Sequence, residues 1–321
     1  MAQKKIGVFN SPCWRQLSVF GLLAGSAFSL AAGQTASPAR TDSFTLQKET
    51  TNEGMTSGNL AASERALRSD LSAHPDSAAA IYQLALVLQQ ENKPKESLEF
   101  YTRAAKIRQP DAQQLRSVAL DYVLLSDYAD AIHWLEVALS FDPKNVDVLY
   151  SLARCYYTQN HYQQAESMFL RVLQIDPNHL KAEENLGLTY DAENEPDKAE
   201  AALGTAAAWA VNQSPDQWPF LDYGSFLLDR DRAAEATPWL QRAVAIAPSC
   251  APCHEKLGRA LVQEAKTQEG VKELESAAQL DPGNPGIHFE LGRAYRQGGA
   301  LDKARTEFAT SEKLRSERDK N

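Results

Sequence analysis

Apolar residues along most of the chain recur at spacings of three and four, the spacing that places side chains on one face of an α-helix. The segment 146–179 contains this pattern twice, with a polar turn at 159–161 between the two stretches. The first stretch holds Leu149, Leu152, Ala153 and Tyr156, and the second holds Ala165, Met168, Phe169, Val172 and Leu173. Pro177 closes the segment, because proline lacks a helical N–H donor and disfavours helix in the residue before it. The pattern predicts two amphipathic helices.

Small residues mark the same two helices along the chain at a period of 34 residues. One series is Ser97, Ala131, Ala165, Ala199, Ala236, Gly270 and Ala304, and the other is Ala85, Ala119, Ala153, Gly187, Gly224, Gly258 and Gly292. In each series every interval is 34 residues except one of 37. A fixed period of this length is typical of stacked repeats, whose surfaces usually bind other molecules. We expect the small side chains where the two helices of a repeat cross.

The repeat resembles the tetratricopeptide repeat, in which Leu and a small residue precede a Tyr, and Ala, an aromatic residue and Pro follow. Residues 146–179 carry this order as Leu152, Ala153, Tyr156, Ala165, Phe169 and Pro177. Residues 112–145 carry it as Val118, Ala119, Tyr122, Ala131, Leu135 and Pro143. The resemblance implies an all-α fold, namely a right-handed α-solenoid of stacked antiparallel helix pairs that forms a superhelix.

The period also divides the chain into segments. We expect four repeats at 78–213, an irregular joint at 214–216, three repeats at 217–318 and a short tail at 319–321. Residues 61–77 predict a degenerate half-repeat that covers the apolar flank of the first complete repeat, with Leu67 and Leu71 four residues apart. Residues 34–60 are rich in Ser, Thr, Gly and Gln, which predicts a flexible polar linker.

Three tryptophans, Trp209, Trp218 and Trp239, lie near the irregular joint. One interpretation is that their rings fill a widened step in the stack. The alternative is a hinge, or a pocket lined by Trp218.

The first 33 residues resemble a secretory signal peptide. Lys4, Lys5 and Arg15 form a basic start, an apolar stretch follows, and Ala31 and Gly33 offer small residues for cleavage. We therefore expect an exported protein, periplasmic or secreted. The alternative is that residues 17–33 stay uncleaved and anchor the chain in a membrane, and membrane contact is expected only in that case.

The net charge of the chain and the catalytic motifs that it lacks exclude some classes of function. The chain has 33 basic and 42 acidic residues, and residues 1–33 hold three of the basic ones, so the mature chain would carry a formal charge of −12. Such a surface disfavours nucleic acid. The sequence lacks a phosphate-binding glycine loop, an H-E-x-x-H motif and a local nucleophile–base pair. We expect a non-enzymatic protein with no catalytic residues, metal, cofactor or small-molecule substrate.

One short motif points to different chemistry. Cys250, Cys253 and His254 match C-x-x-C-H, the attachment signature of c-type haem, and the two cysteines also suit a local disulfide or a thiol redox role. The repeat register places His254 at an inward-facing packing position, which His288 occupies without cysteines beside it. The same position in other repeats holds Ile81, Leu115, Leu149 and Phe220. A haem or thiol redox protein stays the alternative function.

The resemblance implies a concave groove lined by the first helix of each repeat. The positions expected to face it hold Tyr82, Tyr150, Arg154, Tyr157, Trp218, Lys256, Arg259, Phe289, Arg293 and Arg296. Aromatic rings bury area and guanidinium groups bind carboxylates, so these residues suit a peptide or helix segment of a partner protein. Arg154, Arg259 and Arg293 predict an acidic or carboxyl-terminal segment. We expect a protein–protein interaction scaffold of an envelope, secretion or assembly system.

Overall fold

The computed structural model describes residues 57–213 and 216–318; the predicted signal peptide 1–33 and most of the predicted linker lie outside these ranges. Within the ranges there are fifteen helices and no strand. The helices are α1 (Ser57–Ala73), α2 (Ala78–Gln90), α3 (Pro94–Ala105), α4 (Ala112–Leu124), α5 (Tyr128–Phe141), α6 (Val146–Thr158), α7 (Tyr162–Ile175), α8 (Leu180–Ala192), α9 (Pro196–Gln213), α10 (Trp218–Leu228), α11 (Ala233–Ile246), α12 (Ala251–Gln263), α13 (Thr267–Leu280), α14 (Pro285–Gln297) and α15 (Leu301–Arg318). The predicted all-α repeat fold is confirmed. None of these helices combines the length and the apolar character needed to cross a bilayer.

Consecutive helices pack as hairpins, from α2 with α3 to α14 with α15. The described residues form two compact units, one ending at Pro177 after α7 and the other beginning at Asn178 before α8. The predicted small residues are fully buried in both units, including Ala85, Ala119, Ala131, Ala153, Ala165, Ala199 and Ala236. Small side chains at these positions let the two backbones of a hairpin approach closely.

Most first helices of the hairpins begin at a capping residue. The side chains of Ser77, Asp111, Asn145, His179, Cys250 and Asn284 each accept a hydrogen bond from a backbone N–H of the following first turn. Such caps satisfy N–H groups that have no partner inside the helix. The cap residues recur with the period of the sequence, so each repeat starts its helix by the same local chemistry.

Each hairpin turn contains one residue in the left-handed backbone region. These residues are Asn92, Ser126, Asn160, Asn194, Asp231, Ala265 and Gly299, with φ between 58° and 80°. Asn, Asp and Gly tolerate this conformation better than Ala, whose Cβ approaches a carbonyl oxygen there. Ala265 is therefore the least suited residue of the series.

Replacing Ala265 with glycine is expected to raise the free energy of unfolding by about 0.5–1 kcal/mol, because glycine adopts a positive φ without the steric cost. Urea unfolding would measure the change. Asn160→Gly is the matched control and should change stability less, since Asn already tolerates the conformation. Equal or lower stability of Ala265→Gly would contradict this account of the turn.

A polar cluster is buried in the core of the first unit. Asp121 of α4 is fully buried, and its Oδ2 accepts a hydrogen bond of 2.6 Å from the Ser97 hydroxyl. The Gln89 amide donates to the Ser117 carbonyl oxygen at 2.5 Å. Asp121 Oδ1 and Gln89 Oε1 have no hydrogen-bond partner. Burial raises the pKa of Asp121 to about 8, although Ser97 and Gln89 oppose the shift. The core thus favours the neutral carboxylic acid.

The first helix of the first unit begins at Ser57, inside the segment 34–60 that the sequence analysis interprets as a linker. Leu60 and Leu71 of this helix are buried, and Leu67 and Leu71 pack against the core of the first unit. The helix therefore covers an apolar flank of α2, with which it is in contact.

The second unit departs from the regular repeat at α9. This helix has 18 residues, whereas the corresponding α7 and α11 have 14 each. Val211 stands where Pro177 ends an earlier repeat, so no proline stops the helix at that position. Of the predicted joint 214–216, Ser214 and Pro215 lie outside the described residues, and Asp216 Oδ1 accepts a hydrogen bond of 3.3 Å from the Trp218 N–H.

Trp239 packs inside the second unit. Its ring stacks on Phe220 with centroids 6.2 Å apart and meets Tyr223 edge-on at 5.5 Å. Offset and edge-to-face contacts of this kind add to the area that the rings bury. The packing joins α10 to α11 beside the long helix α9.

The helices α12 and α13 approach one another closely at Gly258 and Gly270. A Cβ atom at Gly270 would lie 2.7 Å from the Gly258 carbonyl oxygen and 2.6 Å from Val262 Cγ2. A Cβ at Gly258 would lie 2.7 Å from Leu274 Cγ. In this hairpin both crossing positions need glycine, because any side chain would meet the backbone or a packed residue of the other helix.

Candidate groove pocket of the second unit

A pocket of about 360 Å³ lies in the second unit, where residues of α12 and α14 face one another. Val262, Leu274 and Ala294 give it an apolar side. Its polar residues are Arg259, Gln263, Glu290, Arg293, Arg296 and Gln297. Three guanidinium groups against one carboxylate make the pocket basic, on a chain that is acidic overall.

Two arginines of the pocket make ion pairs that are partly exposed to solvent. Arg259 Nη2 lies 3.5 Å from Asp229 Oδ1, and Arg293 Nη1 lies 3.1 Å from Glu290 Oε2. The side chain of Arg293 is 54% exposed. Exposed ion pairs of this kind contribute roughly 0–1 kcal/mol. An incoming carboxylate can therefore compete for both guanidinium groups at little cost in local stability.

The walls of the pocket are tied together by α14. The Gln297 amide donates to the Val262 carbonyl oxygen at 3.2 Å, which links α14 to α12. The guanidinium carbon of Arg296 lies 5.7 Å from the Phe308 ring centroid, a cation–π contact that orients the third basic group. These contacts position the pocket residues, and neither of them pairs a guanidinium group with a carboxylate.

Glu255, a carboxyl group that interacts electrostatically with Arg259 and Glu290 of the pocket, is affected by its own burial. Burial raises the pKa of Glu255 above its ordinary value, and Lys256 and Arg259 oppose that shift while Glu290 and Asp229 add to it. Glu255 therefore keeps its proton to a higher pH than an exposed glutamate does.

The structure brings together three of the residues that the sequence predicts for a groove. Arg259, Arg293 and Arg296 line one pocket. Lys256 is half-buried and Phe289 is exposed, but neither lines it. Trp218 is half-buried at the start of α10, also outside the lining.

The predicted groove residues of the first unit are packed rather than open. Tyr82 is buried and its hydroxyl donates to the Arg108 carbonyl oxygen at 2.7 Å. Tyr150 and Arg154 are each only 6% exposed, with the guanidinium carbon 5.6 Å from the ring centroid. Tyr157 is half-buried against Tyr162. The groove position led us to expect that Tyr82, Tyr150 and Arg154 are exposed. They are buried instead, because these large side chains fold back onto neighbouring groups.

The C-x-x-C-H residues are engaged with one another and with the core. Cys250 and Cys253 form a disulfide. His254 Nδ1 lies 2.6 Å from Glu273 Oε2, and its Nε2 lies 3.0 Å from the Pro248 carbonyl oxygen. A haem attached here would need both sulfurs and a ring nitrogen released from these bonds.

His288 has the same surroundings one repeat later. Its Nδ1 lies 2.7 Å from Glu307 Oε2 and its Nε2 lies 3.0 Å from the Pro282 carbonyl oxygen. The packing role that the register assigns to both histidines agrees with this geometry. A histidine at this position joins the start of the first helix to the second helix of its own hairpin.

Sequence reasoning did not single out Gln263, Glu290 and Gln297 of the pocket. They occupy the thirteenth, sixth and thirteenth positions of their repeats, counted from Ala251 and Pro285. The resemblance to the tetratricopeptide repeat implies that the sixth and thirteenth positions of a first helix face the groove. Applying the register to every residue type, rather than to aromatic and basic residues alone, would have found them.

Family models described as tetratricopeptide repeat match residues 78–111, 123–178 and 261–314. No curated protein matches the chain. Among solved structures, the chain is similar to a tetratricopeptide repeat protein from Parabacteroides merdae, with 16% identity, 74% of this chain and 93% of that chain covered, and a TM-score of 0.59.

Two further solved structures are similar in fold. For PilF of Pseudomonas aeruginosa the identity is 19%, the coverage 70% of this chain and 96% of that chain, and the TM-score 0.57. For PilW, described as a type IV pilus biogenesis factor, the identity is 20%, the coverage 61% and 90%, and the TM-score 0.56. At these identities the likeness concerns the fold.

Proposed function

Because the chain is a tetratricopeptide repeat protein, we propose that it is a non-enzymatic scaffold that binds a peptide or helix segment of a partner protein. The observation that carries the proposal is the basic pocket of the second unit, where Arg259, Arg293 and Arg296 surround an apolar side. The partner segment offers a carboxylate, from an acidic side chain or a carboxyl terminus, next to an apolar side chain.

Guanidinium chemistry supports this class of ligand. A planar guanidinium group binds a carboxylate through two parallel hydrogen bonds, which gives both orientation and affinity. Val262, Leu274 and Ala294 supply apolar contact area within reach of the same ligand. A peptide that fills the pocket thus gains specificity from charge and affinity from burial.

The cellular setting belongs to the same proposal. The signal-like residues 1–33 favour export to the periplasm or beyond, with membrane contact only if residues 17–33 stay uncleaved. PilW, similar in fold, is a type IV pilus biogenesis factor. We place this chain in an envelope, secretion or assembly system, where a scaffold holds protein components together.

Replacing Arg259 and Arg293 together with alanine is expected to weaken partner binding by about ten- to a hundredfold, since hydrogen bonds to charged groups contribute about 1.5–3 kcal/mol. The partner would be isolated from the native envelope by crosslinking, and its affinity measured by titration calorimetry at two salt concentrations. Arg154 is left intact, because it is buried and its removal would disturb the fold.

The control is Arg305→Ala, which removes an arginine that is 80% exposed on α15 and lies outside the pocket. It should bind the partner as the unaltered protein does. Equal affinity of the Arg259→Ala/Arg293→Ala variant would overturn the proposed binding site.

A further inference from the structure

Cys250 departs from the pattern that the other repeats follow at the start of the first helix. The equivalent residues are Ser77, Asp111, Asn145, His179, Asp216 and Asn284, which are all oxygen- or nitrogen-bearing side chains. A sulfur atom is a weak hydrogen-bond acceptor and a poor helix cap. Cys250 Sγ nevertheless takes the cap position and accepts from the Cys253 N–H at 3.2 Å. A residue that departs from the residue type found at the same position in the other repeats is a candidate for a function.

The two cysteines differ in their exposure to solvent. Cys253 is fully buried, whereas Cys250 is half-buried. The residues around Cys250 in sequence, Ser249 and Pro252, are exposed. We therefore expect a thiol that approaches from solvent to react at Cys250 rather than at the fully buried Cys253. Thiol–disulfide exchange depends on access to the sulfur that is attacked, so this difference directs the attack to one of the two cysteines.

We propose that the Cys250–Cys253 disulfide is a thiol–disulfide exchange site that oxidises a pair of thiols in a partner protein. A partner thiolate attacks Cys250 Sγ, the bond between the two cysteines breaks, and Cys253 leaves with the electron pair and takes up a proton. The partner's second thiolate then attacks the partner's first sulfur, which is bonded to Cys250 in the mixed disulfide. A disulfide forms within the partner, and Cys250 leaves as a thiolate that takes up a proton. The partner loses two electrons and two protons, and the cysteine pair gains them.

The start of α12 supports the charges that these steps create. Cys250 is the cap and Cys253 is the third residue of the helix, so both lie where free backbone N–H groups favour negative charge on sulfur. His254 follows directly but is held by Glu273 and the Pro248 carbonyl oxygen, and it takes no part in the exchange. Its bonds keep the helix start in place when the disulfide opens.

Two single substitutions in the full chain test the proposal. Each introduces a residue that other repeats have at the equivalent position. Cys253→Ala introduces the residue that Ala80 and Ala182 supply at this position, and it leaves Cys250 as a free thiol. Cys250→Asn introduces the cap of Asn145 and Asn284, and it leaves Cys253 free but buried. Because both substitutions match sibling repeats, both proteins should fold, which circular dichroism and thermal melting would check.

Each variant would be treated with oxidised glutathione without denaturant, and the modified cysteines identified by mass spectrometry of peptides. We expect Cys250 in Cys253→Ala to form a mixed disulfide, and Cys253 in Cys250→Asn to stay unmodified. Cys155 is the internal control, since burial raises the pKa of its thiol to about 12. Cys250 should react at least about a hundredfold faster than Cys155, because the thiolate is the reactive form.

The unaltered chain gives the second test. Its disulfide should open with millimolar dithiothreitol while the helices stay folded. A disulfide that opens only in denaturant, or a Cys250 that glutathione does not modify in Cys253→Ala, would overturn the proposal and leave the pair as a local cross-link.

Discussion

Replacing Asp121 with asparagine is expected to stabilise the protein at pH 7 by on the order of 3 kcal/mol. Asp121 is fully buried, and burial raises its pKa to about 8 from an ordinary value of 3.8. At neutral pH the unfolded chain releases this proton readily, while the folded chain must keep the proton or bury a charge. Asparagine keeps the shape and can still accept from Ser97, but it has no proton to release.

The sign of the pH dependence follows from the raised pKa. The folded state binds the proton more tightly, so the contribution of Asp121 is fully present below pH 3.8 and is lost as the pH rises towards 8. The unaltered protein should lose up to about 1.4 kcal/mol per pH unit from this group across that range. The difference between Asp121→Asn and the unaltered protein should therefore shrink to nearly zero at about pH 4.

Urea unfolding at several pH values between 4 and 8 would measure both effects. Asp302→Asn is the matched control, because the Asp302 side chain is 97% exposed and its replacement should change stability by less than about 0.5 kcal/mol at any pH. If Asp121→Asn and the unaltered protein showed parallel pH profiles, the carboxyl group would not be neutral in the folded core.

The second large effect is expected where α12 and α13 approach one another at Gly258 and Gly270. Gly270→Ala should lower the free energy of unfolding by about 1–3 kcal/mol, because its Cβ would lie 2.7 Å from the Gly258 carbonyl oxygen. The Gly258 carbonyl oxygen belongs to the helix backbone, so it cannot rotate away from the added methyl group as a flexible side chain can. The α12–α13 hairpin would have to open, which also loosens the buried Leu274 beside it.

The same substitution at Gly204 should act in the opposite direction. Gly204 lies within α9, and a Cβ there would meet only the Tyr223 side chain, at 3.4 Å. Alanine is favoured over glycine inside a helix by about 1 kcal/mol, so Gly204→Ala should stabilise the protein. Chemical unfolding of the two variants separates helix propensity from packing. A stabilised Gly270→Ala protein would show that the hairpin has room for a methyl group.

The period of 34 residues predicted the fold because it reports directly on local geometry. Small residues such as Ala153 and Ala165 must lie where two helices cross, and Pro177 must end a helix. The histidine packing position followed from the same register. These are properties of a single repeat. Because the sequence contains several repeats, each of them shows the same local pattern again.

The depth of individual side chains could not be predicted in the same way. The register gives the face on which Tyr150 and Arg154 lie, but both are buried because long side chains fold back onto their neighbours. The pocket depends on Arg259 and Arg293 standing opposite each other on α12 and α14, which is a relation between repeats. The spacing of Cys250 and Cys253 suits a disulfide and a haem equally, so the sequence left that choice open.

The two equivalent histidines have a consequence for how the length of the chain can change. His254 and His288 are 34 residues apart, and each joins a proline carbonyl oxygen to a glutamate of its own hairpin. If one period were excised between Cys253 and His288, His288 would follow Cys253 and find the Pro248 carbonyl oxygen and Glu307 at the same sequence separations. For the histidines this part of the array is modular: the loss or duplication of one whole repeat here would leave both hydrogen bonds of each remaining histidine at the same sequence separations.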